Sequence, residues 1–273
     1  METSTSPSPL LFDYILCERM VSMNITQTFY DSMATQYDKL FQDWEATTRE
    51  QAVILDRIFS ANGFDKSANI LDCACGIGTQ TIGLAKLGYN MTASDISDGE
   101  LAEAKQRAEK NAVSVHFEHA DFCALSDTFS EKFDVIICMD NALPHMLSEE
   151  ALASALGSII NQLAPGGIFV ASIRDYDAIL MEKPSYSPPY IHKTAEGQRV
   201  SFQTWRWEGD HYKLTQYIID DGTALQVGKF ECEYRATRRE ELTKLLIASG
   251  CNDVQWKFPE ETGFYQPILI AKK

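Results

Sequence analysis

The sequence predicts an α/β fold built on a mostly parallel sheet, and three observations support this. From residue 70 to about residue 173, short apolar runs alternate with amphipathic helical patterns, as expected for parallel strands joined by crossover helices. The run over 133–139 is apolar almost throughout, which is typical of a strand buried on both faces. A tight turn with Gly76 and Gly78 follows the first apolar run and opens a helical pattern.

The elements follow from these patterns in chain order. The predicted elements are a helical pattern around 29–40, a helix over 49–59, strands ending at Asp72 and Asp95, a helix over 99–111, strands over 113–119 and 133–139, a helix over 148–163 and a strand over 168–173. Ser148 is placed to cap its helix. Pro165-Gly166-Gly167 is expected to end that helix before the fifth strand.

Beyond residue 176 the pattern changes from helical to strand-like. Residues 182–197 are rich in proline and tyrosine and are predicted as loop, after which polar and apolar residues alternate over 199–207, 211–220 and 223–234. We interpret these three runs as an antiparallel insertion over about 177–235. A helix over 238–249 and a hairpin of 254–258 with 268–271 are predicted to close the domain.

Length and composition limit the classes of protein that fit. A chain of 273 residues with 45% hydrophobic residues suits one domain over 24–273, and residues 1–23 are expected to form a flexible N-terminal extension. The net charge of −15 disfavours a nucleic acid partner. No apolar run approaches a membrane span. Seven cysteines without regular spacing favour the cytoplasm over an oxidising compartment.

The turn after the first strand predicts a nucleoside site. Gly76 and Gly78 allow backbone to approach a ligand closely, and Asp95 ends the next strand nineteen residues after Gly76, where an acid can bind both hydroxyls of a ribose. The third glycine of a dinucleotide motif is replaced by Thr81, which favours S-adenosylmethionine over NAD. Cys73 and Cys75 are too few for a zinc site and no other metal motif occurs, so no metal is predicted.

These residues resemble a known family. Asp72-x-Ala74-Cys75-Gly76-x-Gly78-Thr79, Asp95 and Pro165-Gly166-Gly167 are similar to class I S-adenosylmethionine-dependent methyltransferases. The segments Asn141-Ala142-Leu143-Pro144-His145 and Arg174-Asp175-Tyr176-Asp177 resemble more narrowly the glycine and sarcosine N-methyltransferases, although Asp175 stands where that family has asparagine. The resemblance implies the Rossmann-like class I methyltransferase fold, with a seven-stranded, mostly parallel sheet and an antiparallel strand insertion.

The resemblance also implies roles for individual residues. In the cofactor site, Ala74 and Gly76 would face the methionine part, Arg49 would hold its carboxylate, and Tyr30 would close over it. The remaining cofactor residues would be Asp95 and Ile96 at the ribose and adenine, Asp121 and Phe122 at the adenine, and Met139 and His145 completing the pocket. In the catalytic site, Arg174 would pair with the acceptor's carboxylate, with Asn141 and Tyr234 near its amine.

The implied function is methyl transfer to a small-molecule acceptor, namely the amine of a glycine- or sarcosine-like compound. Two alternatives stay open at this point: an O- or C-methyltransferase acting on another small metabolite, and a non-catalytic protein that binds S-adenosylmethionine. Arg174 has an alternative reading as an ion-pair partner of Asp175 or Asp177, and His145 as a core or cap histidine. Relatives with such an insertion tend to associate, so a homo-oligomer is one state to expect.

Overall fold

The computed structural model describes residues 25–273, in which eleven strands form two sheets. The strands are β1 (Asn69–Asp72), β2 (Asn90–Asp95), β3 (His116–His119), β4 (Phe133–Cys138), β5 (Leu163–Ser172), β6 (Tyr190–Lys193), β7 (Gln198–Glu208), β8 (His211–Asp221), β9 (Leu225–Arg235), β10 (Asp253–Lys257) and β11 (Ile268–Lys272). The larger sheet has seven strands in the order β10-β11-β5-β4-β1-β2-β3. Only β11 runs antiparallel to its neighbours, β5 and β10, which confirms the predicted fold class.

Helices accompany the strands along the chain. They are α1 (25–33), α2 (Trp44–Ala61), α3 (Thr79–Lys86), α4 (Asp98–Lys110), α5 (Glu149–Gln162), α6 (Tyr176–Glu182), α7 (Arg239–Ala248) and α8 (Pro259–Thr262), with a 3-10 helix over Ala34–Leu40. Ser97 and Ser148 each accept a hydrogen bond from a backbone N–H of the helix they precede, as N-caps do. Within residues 25–273, no helix combines the length and apolar character that crossing a membrane would need.

The middle of the large sheet is buried on both faces. Val135, Ile136 and Ile137 of β4 are fully inaccessible to solvent. Ile136 belongs to an apolar cluster that includes residues of α5 and of β8 and β9, whereas Val135 and Ile137 pack in a second cluster with residues of α2. This burial fixes the strand ends, and so the carboxyl edge of the sheet is a rigid platform for the loops that follow β1, β2, β4 and β5.

The second sheet is antiparallel, in the order β6-β7-β8-β9, and it reaches the same carboxyl edge. Tyr212 and Leu214 of β8 and Cys232 and Tyr234 of β9 are buried in the main apolar cluster. The ring of Tyr234 lies 4.2 Å from that of His145, in the loop after β4. The inserted strands therefore pack directly against the loops that follow the parallel strands.

Several element predictions were wrong in detail. Pro165-Gly166-Gly167 does not precede β5 but lies within it, because the register between β4 and β5 shifts after Phe133 and leaves these residues as a bulge. Residues 190–193 form an edge strand rather than loop, and α6 and α8 were not predicted. The strand predicted over 113–119 is shortened to His116–His119. The predicted extension over 1–23 lies outside the described residues.

Two helical glycines give a matched test of this packing. A Cβ on Gly83 of α3 would lie 2.5 Å from the Thr48 carbonyl oxygen and 2.8 Å from the Ala52 Cβ, both in α2, whereas a Cβ on Gly157 of α5 would meet nothing. We expect Gly83→Ala to lower the free energy of unfolding by about 1–3 kcal/mol, because a backbone oxygen must shift. Gly157→Ala should raise it by up to about 1 kcal/mol, because alanine favours helix.

The measurement is urea unfolding of both variants beside the unsubstituted protein. Equal effects of the two substitutions would contradict the close approach of α2 and α3.

Candidate active site

The turn between β1 and α3 requires glycine at two positions. Gly76 and Gly78 have φ angles of +52° and +87°, a left-handed conformation that side chains disfavour. A side chain would also displace a neighbour, because a Cβ on Gly76 would lie 2.7 Å from Glu100 Oε2 and one on Gly78 would lie 2.9 Å from Ile82 Cδ1. Bare backbone is therefore exposed to the space above the strand end.

Asp72 anchors the same turn from below. It is fully buried, and the Thr81 hydroxyl donates a 2.6 Å hydrogen bond to its Oδ2. Burial raises the pKa of Asp72 to about 7, against the opposing effect of this hydrogen bond. Thr81, which stands where a dinucleotide motif has its third glycine, thus ties α3 to β1.

Asp95 is held in one orientation by backbone donors. Gly76 N donates to its Oδ2 at 2.9 Å and Ser97 N donates to its Oδ1 at 3.0 Å. Burial raises the pKa of Asp95, and these backbone hydrogen bonds oppose the shift. Each carboxylate oxygen has a second acceptor site, so Asp95 can still accept two hydroxyl hydrogens from a ligand.

A cavity of about 530 Å³ opens over these groups at the carboxyl edge of the parallel strands. Nine of the ten residues predicted to bind the cofactor line it: Tyr30, Ala74, Gly76, Asp95, Ile96, Asp121, Phe122, Met139 and His145. They come from α1 and from the segments following β1, β2, β3 and β4. The structure thus brings together residues spread over 115 positions of the sequence.

Arg49 is the exception, and the prediction that places it in the cofactor site does not fit this structure. Its side chain is exposed and it is not among the residues that line the cavity. The buried face of α2 carries Thr48, Ala52 and Leu55, and the position after Thr48 is turned about 100° around the helix axis from it. Arg49 therefore lies on α2 outside the lining of the cavity.

Sequence reasoning missed several polar residues that line the cavity, among them Gln80, Glu100 and Asp140. Gln80 Nε2 donates to Gln51 Oε1 at 2.6 Å and to Asp140 Oδ2 at 2.8 Å, and the Tyr265 hydroxyl donates to Asp140 Oδ1 at 2.8 Å. Asp140 could have been found from its place directly after the apolar run of β4. It adopts a φ of +56°, a left-handed conformation that is uncommon for residues other than glycine.

One wall of the cavity is formed where α1, the loop after β4 and the insertion meet. The Tyr30 hydroxyl is hydrogen-bonded to His145 Nε2 at 2.9 Å, and Cys232 Sγ lies 3.5 Å from His145 Nδ1. Burial lowers the pKa of His145 to about 3, so the imidazole is neutral. The Tyr234 ring packs against His145, and neither Tyr234 nor Asn141 is among the residues that line the cavity.

Arg174 lies next to this wall, at the carboxyl end of β5, and does not line the cavity either. Its backbone N–H donates to Asn141 Oδ1 at 3.1 Å. The guanidinium donates to the Tyr212 hydroxyl at 2.9 Å and to Gln203 Oε1 at 3.0 Å, and it lies 5.7 Å from the centre of the Tyr234 ring. The structure thus brings the three predicted catalytic residues together.

Within residues 25–273, Arg174 forms no ion pair. Asp175 pairs with Arg239, and Asp177 pairs with Arg239 and Arg238, so the alternative reading of Arg174 as their partner is wrong. Burial by itself lowers the pKa of the Arg174 guanidinium, but the surrounding tyrosines outweigh it and the net pKa is raised. Arg174 is therefore a charged group whose described hydrogen-bond partners are all neutral.

The charges around the cavity are of one sign. Five acidic residues line it, namely Asp95, Glu100, Asp121, Asp140 and Glu233, and no lysine or arginine of the described chain does. A cavity with this lining favours a cationic ligand, such as a sulfonium or an ammonium group. No group of three or more histidine, cysteine or carboxylate side chains in residues 25–273 could hold a metal ion.

Comparisons with known proteins agree with this site. Residues 70–167 match the family model described as a methyltransferase domain. A glycine/sarcosine N-methyltransferase of Aphanothece halophytica is 26% identical over 90% of this chain and 89% of its own length. A solved S-adenosylmethionine-dependent methyltransferase from Clostridium acetobutylicum shares the fold with a TM-score of 0.71, at 21% identity over 89% of this chain and 98% of that one.

A second solved structure points the same way. An amino pentose methyltransferase from Micromonospora echinaspora, described with S-adenosylmethionine bound, has a TM-score of 0.71 at 17% identity, over 82% of this chain and 91% of that one. The acidic lining and the glycine turn fit the sulfonium and the nucleoside of that cofactor. This chain is therefore a class I S-adenosylmethionine-dependent methyltransferase, similar to the glycine/sarcosine N-methyltransferases.

Proposed function

We propose that this methyltransferase acts on the amine of a small glycine- or sarcosine-like acceptor. The observation that supports this most is Arg174, a largely buried guanidinium that forms no ion pair within the described chain and adjoins Asn141 and Tyr234. A buried charge without a counter-charge is costly, and a planar guanidinium fits a carboxylate with two parallel hydrogen bonds. An acceptor carboxylate would provide the missing counter-charge.

The cofactor would lie across the carboxyl ends of β1, β2 and β4. In this proposal Ala74, Gly76 and Met139 contact its methionine part, and Asp95 and Ile96 contact the ribose. Asp121 and Phe122 receive the adenine, and Tyr30 and His145 close the wall on the acceptor side. Arg49 is left out of this set because it is exposed and does not line the cavity.

When bound, S-adenosylmethionine supplies a methyl group made electrophilic by the sulfonium. The residues of the chain have to hold a neutral amine in line with that group, and such alignment can lower a barrier by about 7–11 kcal/mol. The Tyr30 hydroxyl and the neutral His145 imidazole are fixed by their mutual hydrogen bond, so they can orient an amine without reorganising. No strong base is required if the amine arrives without its extra proton.

A second candidate is an amine that lacks a carboxylate. The two terminal nitrogens of the Arg174 guanidinium already donate hydrogen bonds, one to Tyr212 and one to Gln203. The cavity itself is lined by acidic residues. One structural relative is named as an amino pentose methyltransferase. An O- or C-nucleophile and a non-catalytic binding role are outcomes that the same acceptor screen would reveal.

We also propose a cellular compartment and an assembly state for this protein. The described cysteines are buried and none is in a disulfide, which supports a cytoplasmic protein. We also propose a homo-oligomer, which rests on the resemblance to relatives that carry such an insertion; sedimentation analysis would test it.

Asp95→Ala tests the ribose site. The substitution should weaken binding of S-adenosylmethionine and S-adenosylhomocysteine by about 1.5–3 kcal/mol, the size of a lost hydrogen bond to a charged group. Isothermal titration calorimetry measures it, and NAD should not bind to either form. Asp98→Ala is the matched control, because this nearby side chain is exposed. Equal affinities for the Asp95 variant and the unsubstituted protein would refute the assignment.

Arg174 variants test the acceptor. Arg174→Lys keeps the charge but loses the planar fork, so it should raise acceptor KM while sparing cofactor affinity. Arg174→Ala should cost about 3–5 kcal/mol in kcat/KM for glycine or sarcosine, because their carboxylate would be left buried and unpaired. The readout is release of S-adenosylhomocysteine over a panel of amines with and without a carboxylate.

Arg206→Ala is the control for these variants, because Arg206 is exposed on the same insertion. Amines without a carboxylate should be poor acceptors and almost insensitive to the change at Arg174. The proposal fails if such an amine is the best acceptor and Arg174→Ala leaves its turnover intact.

A further inference from the structure

Glu100 is a buried acid that the methyl-transfer chemistry does not use. It lies in the first turn of α4, lines the cavity and is only 2% exposed. Its Oε2 lies over the glycine turn, 2.7 Å from where a Cβ on Gly76 would be. Glutamate is rarely buried to this extent unless it is paired.

The carboxyl group of Glu100 lacks the partners that usually accompany such burial. Its Oε1 is inaccessible to solvent and has no hydrogen-bond partner among residues 25–273, and no lysine, arginine or histidine of that part forms an ion pair with it. The charged groups that act on it are the acids Asp95 and Asp31. An unsatisfied buried polar atom of this kind is stabilised when a ligand supplies the missing hydrogen bond.

We propose that Glu100 is a second carboxyl group of the nucleoside site, which donates a hydrogen bond to one ribose hydroxyl of S-adenosylmethionine while Asp95 accepts from the ribose. The two carboxyls are neighbours across the Gly76 turn: Gly76 N donates to Asp95, and Glu100 packs over the same glycine. The ribose expected beside Asp95 is therefore the part of the cofactor nearest to Glu100.

The protonation state of Glu100 is consistent with a donor role. Burial, and then the charges of Asp95 and Asp31, raise the pKa of Glu100 well above its ordinary value. A protonated carboxyl carries one O–H donor and keeps an acceptor oxygen. Because Asp95 is held by two backbone N–H groups, the site pairs one acceptor carboxylate with one donor carboxyl, which matches two hydroxyls that each donate and accept.

The test combines variants at Glu100 with ligands that lack one hydroxyl. Glu100→Gln keeps the shape and a donor, whereas Glu100→Met removes both hydrogen-bonding functions at similar length. Each full-length variant is titrated by calorimetry with S-adenosylhomocysteine and with its 2′-deoxy and 3′-deoxy analogues. Glu109→Gln and Glu109→Met are matched controls, because Glu109 is an exposed residue of the same helix.

We expect Glu100→Met to bind S-adenosylhomocysteine at least about tenfold more weakly, since about 1.4 kcal/mol corresponds to a factor of ten. For the analogue that lacks the contacted hydroxyl, the same substitution should change affinity by less than about threefold. Glu100→Gln should stay within about threefold of the unsubstituted protein for S-adenosylhomocysteine.

Three outcomes would overturn the proposal. Glu100→Met could weaken all three ligands equally, which would indicate that Glu100 only supports the turn. Glu100→Met could leave binding of S-adenosylhomocysteine unchanged. Glu100→Gln could lose as much as Glu100→Met, which would show that a neutral hydrogen-bond donor at this position does not hold the ribose. If Glu100→Met does not fold, as judged by its thermal unfolding, Glu100→Ala gives the same comparison because it only removes atoms.

Discussion

The hydrogen bond from Gly76 N to the Asp95 carboxylate is the contact on which the cofactor end of the site depends. It joins the loop after β1 to the end of β2, and it forms only because Gly76 adopts a left-handed conformation without a side chain. The same glycine leaves the space that Glu100 fills from α4. One residue without a side chain therefore sets the distance between two carboxyl groups and exposes the backbone between them.

The wall formed by α1, the loop after β4 and the insertion depends on a different kind of contact, between parts of the chain that are far apart in sequence. Tyr30 of α1, His145 after β4 and Tyr234 of β9 meet through the hydrogen bond between Tyr30 and His145 and through ring contacts of His145 with both tyrosines. Because His145 is buried and its pKa is low, this wall carries no charge. Arg174 adjoins the Tyr234 ring of this wall and does not line the cavity, whereas five acidic residues do.

Local sequence predicted the parallel strands and the glycine turn, because these follow from short-range patterns of apolar residues and from backbone conformation. The predictions were wrong where contacts between residues far apart in sequence determine the local structure. Pro165-Gly166-Gly167 breaks a helix locally, yet pairing with β4 keeps it within a strand as a bulge. Arg49 was assigned by resemblance, and it lies exposed on α2, outside the lining of the cavity. Arg174 forms no ion pair with the two nearby acids because Asp175 and Asp177 pair instead with Arg238 and Arg239, which lie far along the chain.

Burial raises the pKa values of the acids at and beneath the cavity, and this bears on which ligand the cavity binds. Asp72, Asp95, Glu100 and Asp140 are buried near each other, and burial is the first cause of the raised pKa in each case. Desolvation and mutual repulsion disfavour the ionised forms, and a cation placed among them opposes both effects. Binding of a sulfonium would therefore be strengthened by the carboxylates of Asp95 and Asp140, which line the cavity and whose ionisation it favours, since linkage between two binding events is reciprocal. The arrangement that is unfavourable for the empty cavity is thus the one that selects a positively charged cofactor.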